Sequence, residues 1–398
     1  MEKVTKVTYK RTSCVYLDNN ATTPMHPDVK CAMEEYYFDN FANPSSSHAA
    51  GKRSLESVER SRSTISGLLG ASPEEITFTS GASEAINLAL FGSTAFRKTA
   101  AGMVVVTSAI EHHAVLNACI ELGRRGAEVL ILKPRSDGVL YPEDLEKLII
   151  GRKEIFLAAF MLVNNETGAI QPVKALSDVV KKRGAVVLTD AVQGFGKIPV
   201  DVDALGADML AITAHKFYGP KGAGALFLRR GTRLAPQILG GGHEHGLRAG
   251  TVNVPAVCGM ARAAELAVSE LAGRNSHASG LRSLLVEKLR QLDEIGVSYA
   301  FNYSDGKAVA NTANISFRDV PSEQLTEYLS SRGIMVSSGS ACSSGEGATA
   351  SHVIEAMGVP FDLAIGAVRI SFGIYNEIYD VERLISALKD FFSARVGR

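Results

Sequence analysis

Short apolar runs recur through the middle of the chain, separated by stretches whose apolar positions repeat every three to four residues. The pattern predicts strands at 103–107, 128–132, 155–163, 185–189, 208–213 and 224–228. Val104-Val105-Val106 and Val186-Val187-Leu188 are apolar without alternation, as in strands covered on both faces of a mostly parallel sheet. Helices predicted between them at 143–150 and 173–183 complete an α/β alternation. Near residue 255 the pattern changes. Pro255 opens a long helix with Val257, Met260, Ala261, Ala264 and Leu271 on one face, and a second helix follows around 281–292. Strands at 314–317 and 368–372 then alternate with helices at 322–331, 351–357 and 381–392. The reading is a large α/β domain over 16–260 and a smaller α+β domain over 261–398, joined by residues 1–15.

A chain of 398 residues suits two domains. With 46% hydrophobic and 21% charged residues it can build a large core, which excludes wholesale disorder. Lys plus Arg and Asp plus Glu both number 42, so no basic excess points to nucleic acid or an anionic membrane. No run approaches the ~18 apolar residues of a membrane span. The N-terminal MEKVTKVTYKRTSC lacks a signal peptide's apolar stretch, so the expected compartment is the cytosol. The five cysteines (Cys14, Cys31, Cys119, Cys258 and Cys342) form no C-x-x-C pair, which argues against a disulfide framework or a Cys-rich zinc site. There is no P-loop, and Gly222–Phe227 lacks the third glycine of a dinucleotide fingerprint.

The densest chemistry is Thr213-Ala214-His215-Lys216, between an apolar strand and the Gly-rich stretch 219–224. A Lys at a buried strand end is partly desolvated, and its neutral amine can form a Schiff base. Alone it reads rather as a surface Lys after a strand. Asp190 ends another strand, at the edge where open α/β sheets bind ligands. A carboxylate there could pair with a protonated pyridine nitrogen, or cap a helix. Thr79–Glu84 precedes an apolar helical pattern; its small residues leave N–H groups at the helix start for an anion, with the Ser83 hydroxyl, Thr213 and His215 as further donors, although alone it reads rather as an ordinary capped helix. His112 could stack on a ring, and Asn165 could donate to a phenolate. Arg369 lies in an apolar strand and suits either a carboxylate or an internal ion pair. Cys342 lies in a small, polar loop, which suits an exposed nucleophile. His243-Glu244-His245 has the composition of a metal pair but no third ligand at a recognisable spacing.

Taken together, the ordered blocks resemble the cysteine desulfurases of the class V aminotransferase superfamily, in their long cysteine-loop branch. They are Tyr16–Pro24, Asn43-Pro44 with Ser47-His48, Thr79–Glu84, Glu111-His112, Asn164–Gly168, Asp190–Gln193, His215-Lys216, Gly240–Thr251, Ser337–Cys342 and Arg369–Gly373. The resemblance implies a fold type I pyridoxal 5′-phosphate enzyme with a mostly parallel central sheet. It implies that Lys216 holds the cofactor, while Ala82, Ser83, Thr213 and His215 bind its phosphate. Asp190 would face the pyridine nitrogen, His112 would stack, and Gln193 and Asn165 would address the phenolate side. Arg369 and Asn165 would orient the carboxylate of L-cysteine. Thr251 would reach the phosphate of the partner in a homodimer. Cys342 would take the sulfur as a persulfide and pass it to an acceptor such as an iron–sulfur scaffold. No resident metal is implied, with Cys342 at most a transient cluster ligand. A transaminase or a selenocysteine or cystine lyase on the same scaffold is the alternative.

Overall fold

The computed structural model describes residues 14–96, 99–339 and 349–396. Its centre is a seven-stranded sheet: β1 (Ile76–Thr79), β2 (Val104–Ser108), β3 (Glu128–Leu132), β4 (Leu157–Met161), β5 (Val186–Asp190), β6 (Met209–Thr213) and β7 (Gly224–Leu228). The spatial order is β1-β7-β6-β5-β4-β2-β3. The strands β2 to β6 pair in parallel, whereas β7 runs antiparallel to both β6 and β1. The fully buried β4 and β6 account for the unbroken apolar runs read from the sequence. The expected strand at 155–163 is shorter at both ends, spanning Leu157–Met161, and beyond it Val163 bridges Ile170.

Parallel strands end on one edge of a sheet, and this edge collects the turns after β2, β4, β5 and β6. Around the sheet lie α1 (Pro27–Phe38), α2 (Ala49–Leu69), α3 (Ala82–Thr94), α4 (His113–Arg124) and α5 (Val254–Ser269). After α6 (Leu271–Leu289) comes an antiparallel sheet of β8 (Tyr299–Phe301), β9 (Thr312–Phe317), β10 (Ser337–Ser338) and β11 (Ala367–Ser371), in the order β10-β11-β9-β8. A final helix, α7, spans Ile378–Val396.

One apolar cluster joins the large sheet to helices α1, α2 and α5. A separate cluster packs the small sheet against α6 and α7 and includes Val15 and Leu17 from near the N-terminus. The pair Val15–Tyr16 runs parallel to Ile334–Met335, so this early segment lies beside the C-terminal part of the chain. Among the described residues, no helix is long and apolar enough to cross a membrane.

Candidate active site

A cleft of ≈ 680 Å³ opens at the carboxyl edge of the parallel strands. Lys216 enters it from the turn Ala214–Lys216, directly after β6. Its Nζ donates to the backbone oxygens of Asn20 (2.6 Å) and Ala21 (2.8 Å). Burial, and then the Arg369 cation, bring the amine down to about 8. Asp190 ends β5 and is buried; its Oδ1 accepts from the Val192 N–H at 3.0 Å and caps no helix. Burial raises its carboxyl to about 6, against the pull of that hydrogen bond and of Lys216. A base and an acid thus share one wall.

The next wall is the start of α3. Gly81 is its N-cap, and the first helical bond runs from Ala85 N to Gly81 O, which leaves the Ala82 and Ser83 N–H groups pointing out of the helix end. The backbone of β7 passes so close that a Cβ on Gly224 would lie 2.6 Å from Gly81 Cα. Glu84 steadies this turn by accepting from Ser80 N (2.9 Å) and from Arg248 Nε (2.9 Å). Thr213 Oγ1 donates to Ala223 O, and His215 Nδ1 lies 3.2 Å from Thr22 Oγ1. Burial, then Lys216, lowers His215 to about 4, so its ring is neutral.

His112 caps α4, its Nδ1 accepting from Ala114 N at 3.0 Å. Burial and Lys216 lower it to about 4, so the ring is neutral, and with Nδ1 accepting, its proton lies on Nε2. Behind it Glu111 is fully buried, and its Oε1 accepts from Ser108 Oγ (2.6 Å) and Met161 N (3.0 Å). Burial raises this carboxyl to about 8.

Arg369 projects from β11 in the second sheet. Its Nη1 donates to Asn165 O (3.1 Å) and its Nη2 pairs with Asp18 Oδ1 (2.6 Å). The structure thus shows the internal ion pair; the paired guanidinium also lines the cleft, and its Nε is buried without a protein partner. Gln193 also lines the cleft, with Nε2 donating to Asn20 O at 2.8 Å, and so does Asn165.

Eleven of the twelve candidate residues fall within the described segments, and ten of them line the one cleft. Thr251 is exposed and does not line it. Cys342 lies outside the described residues, while Ser337, Ser338 and Gly339, just before that segment, do line the cleft. Among the described residues no cluster could hold a metal ion, and the middle of the H-x-H stretch has another task. Glu244 forms a buried ion pair with Arg62 (2.8 and 2.9 Å) and accepts from Phe78 N (2.6 Å). Sequence reasoning missed the reach of Asn20, whose carbonyl receives both Lys216 and Gln193. It also missed Lys197, which is hydrogen-bonded to Gln193. The one local sign was the polar run Asp18-Asn19-Asn20 directly after the apolar Val15–Leu17 segment.

The aminotransferase class-V family model matches residues 15–384. A cysteine desulfurase IscS of Dictyoglomus turgidum is 40% identical, over 94% of this chain and 93% of its own. A solved NifS-like protein superposes with a TM-score of 0.88 at 38% identity, covering 96% of this chain and 100% of that one. SspA, solved in complex with cysteine, gives 0.77 at 36% identity, covering 91% and 99%. With an acid, an amine and a helix N-terminus converging at the strand ends, and with likeness running almost end to end, the chain belongs to the class-V aminotransferase family, among its cysteine desulfurases.

Proposed function

We propose that the protein is a pyridoxal 5′-phosphate-dependent cysteine desulfurase, converting L-cysteine to L-alanine and leaving the sulfur as a persulfide on Cys342. The observation that carries this reading is the convergence of Lys216, Asp190 and Arg369 on one cleft beside the N-terminus of α3. The donor set fits the cofactor. The helix N-terminus with Ala82, Ser83, Thr213 and neutral His215 suits a phosphate. A buried carboxylate suits a protonated ring nitrogen, and a depressed amine suits covalent attachment of an aldehyde. When bound, the cofactor supplies an electron-withdrawing ring that takes up the charge left as Cα loses its proton.

The chain's own residues do the rest. Lys216 holds the cofactor and, as a free amine, moves the Cα proton; an amine brought to about 8 is partly neutral near pH 7. Asp190 keeps the ring nitrogen protonated. His112 stacks on the ring, while Gln193 and Asn165 address its phenolate side. Arg369, with Asn165, orients the substrate carboxylate. Thr251, being exposed, serves a second copy of the chain in a homodimer. Cys342, as thiolate, receives the sulfur and hands it to an acceptor protein of the iron–sulfur scaffold type. The setting is cytoplasmic.

The test is incubation with L-cysteine, quantifying alanine and mapping the persulfide by mass spectrometry. Alanine and a persulfide on Cys342 are expected, with both lost in Lys216→Ala. Untouched cysteine, or a persulfide on another thiol, overturns the reading. A transaminase would keep its turnover in Cys342→Ala.

A further inference from the structure

Lys197 does not line the cleft. It borders a separate cavity of ≈ 40 Å³ that also touches Lys216, together with Arg274, Asn275 and Asn311. Its Nζ donates to Asn20 Oδ1 at 2.8 Å and to Gln193 Oε1. Its own carbonyl accepts from Asn275 Nδ2 at 2.8 Å, which anchors the turn that carries it.

Each amide around it has one orientation available. Asn20 Nδ2 is committed to Thr312 Oγ1 (2.9 Å) and Asn165 O (3.2 Å), so Oδ1 is the atom turned to Lys197, where Asn311 Nδ2 also donates at 3.1 Å. Gln193 Nε2 donates to the Asn20 carbonyl, so Oε1 is the atom turned to Lys197. The surrounding cations, Lys216 and Arg369, join burial in pushing the Lys197 amine well below the ordinary lysine range. Arg274, at the same cavity, is paired with Glu270. The amine meets two oxygen acceptors, Asn20 Oδ1 and Gln193 Oε1.

We infer that Lys197 is a positioning residue for the reaction: by donating to Gln193 Oε1 and Asn20 Oδ1 it turns the N–H side of the Gln193 amide toward the cleft and steadies the carbonyl that tethers Lys216. Without it, Oε1 is a buried acceptor with no donor, and the Nε2 bond to the Asn20 carbonyl alone is left to hold the amide, so its N–H side is fixed less firmly. An N–H aimed at the cofactor's phenolate oxygen favours the ionised form of that oxygen, which lowers the pH at which the bound chromophore loses its proton. The charged and titratable groups lining the cleft are Lys216, Lys221, Asp190, Glu84, Glu166 and Arg369 (paired to Asp18), with His112, His113, His215 and His352. None of these is altered in the test.

The inference rests on the cleft taking pyridoxal 5′-phosphate, and the experiment separates the two. Absorbance of the purified holoenzyme is titrated from about pH 6 to about pH 10 for the wild type, Lys197→Met, Gln193→Leu and the double variant. Expected is a midpoint raised by about one pH unit, a tenfold change in proton affinity, in each single variant, with no further rise in the double variant. Additive shifts, or a Lys197→Met midpoint equal to the wild type, overturn the inference while leaving the cofactor reading intact. A wild type that takes no cofactor overturns both. Should Lys197→Met not fold, Lys197→Arg, which keeps donors at this place and carries a fixed positive charge, must not raise the midpoint. A folded Arg variant that titrates like Gln193→Leu refutes the assignment.

Discussion

Lys216 shows how a common side chain is made reactive by its surroundings. Its Nζ is held by two carbonyls rather than by a carboxylate, so hydrogen bonds are satisfied without a counter-charge in contact. Burial and Arg369 both disfavour the ammonium, whereas Asp190 and Asp18 favour it less strongly. The neutral fraction therefore rises with pH through about 8, where an ordinary lysine stays protonated to about 10.4. In apoprotein treated with trace acetic anhydride, Lys216 should reach half-maximal labelling near the lower value, read by peptide mass spectrometry. Arg369→Leu removes one of the two depressing causes, so the midpoint should move upward and labelling at pH 8 should fall. An unchanged midpoint in that variant would show that burial alone sets the amine.

At the scale of elements, the cleft depends on how the loop 240–250 is tied to the sheet. Arg62 on α2 and Glu244 each leave only 3% of the side chain exposed, and Glu244 also receives the N–H of Phe78 on β1. Glu244 and His245 both have positive φ, a conformation such side chains seldom adopt, so the ion pair holds a strained turn in place. Arg248, from the same loop, reaches Glu84 at the start of α3. Glu244→Ala leaves the Arg62 guanidinium buried and without this carboxylate. It should cost about 3–5 kcal/mol, seen as a lowered urea midpoint. Replacing both partners with apolar residues, Arg62→Met with Glu244→Leu, should cost much less, because no charge is then stranded.

Across the whole molecule, residues 15–20 stitch the two sheets together. Asn376 Nδ2 donates to Tyr16 O (2.9 Å) and to Asp380 Oδ2 (3.0 Å), while its Oδ1 accepts from Asn19 Nδ2 (3.2 Å) and Gly373 N (2.7 Å). One residue later, Asn20 receives Lys216 and Gln193 from the large sheet and bonds Thr312 on β9. The segment thus carries the geometry of the small sheet to the amine. Asn376→Ala removes four hydrogen bonds at a buried junction. It should lower stability by about 1–3 kcal/mol in a denaturant titration and also weaken cofactor retention in gel filtration. Loss of stability with cofactor binding unchanged would mean that the segment does not transmit to the site.

The sequence by itself determined the α/β order. Apolar runs without alternation mark strands covered on both faces, and parallel pairing follows when helices return the chain between them. It also placed Asp190 at the end of one apolar run and Lys216 a few residues past the end of another. Helix α2 was not legible, because its inner face is lined with Ser54, Ser57 and Ser61, whose hydroxyls bond to carbonyls one turn earlier and hide the apolar stripe. Strand β1, with four residues, is too short to show a period. The tertiary structure alone decided that Arg369 meets Asp18, 351 positions away, that Glu244 belongs to Arg62 and not to a metal, and that Lys197 turns toward Gln193 and Asn20. Periodicity reports which face of an element is buried, whereas a buried polar group takes its partner from whichever distant segment the packing brings within hydrogen-bonding reach.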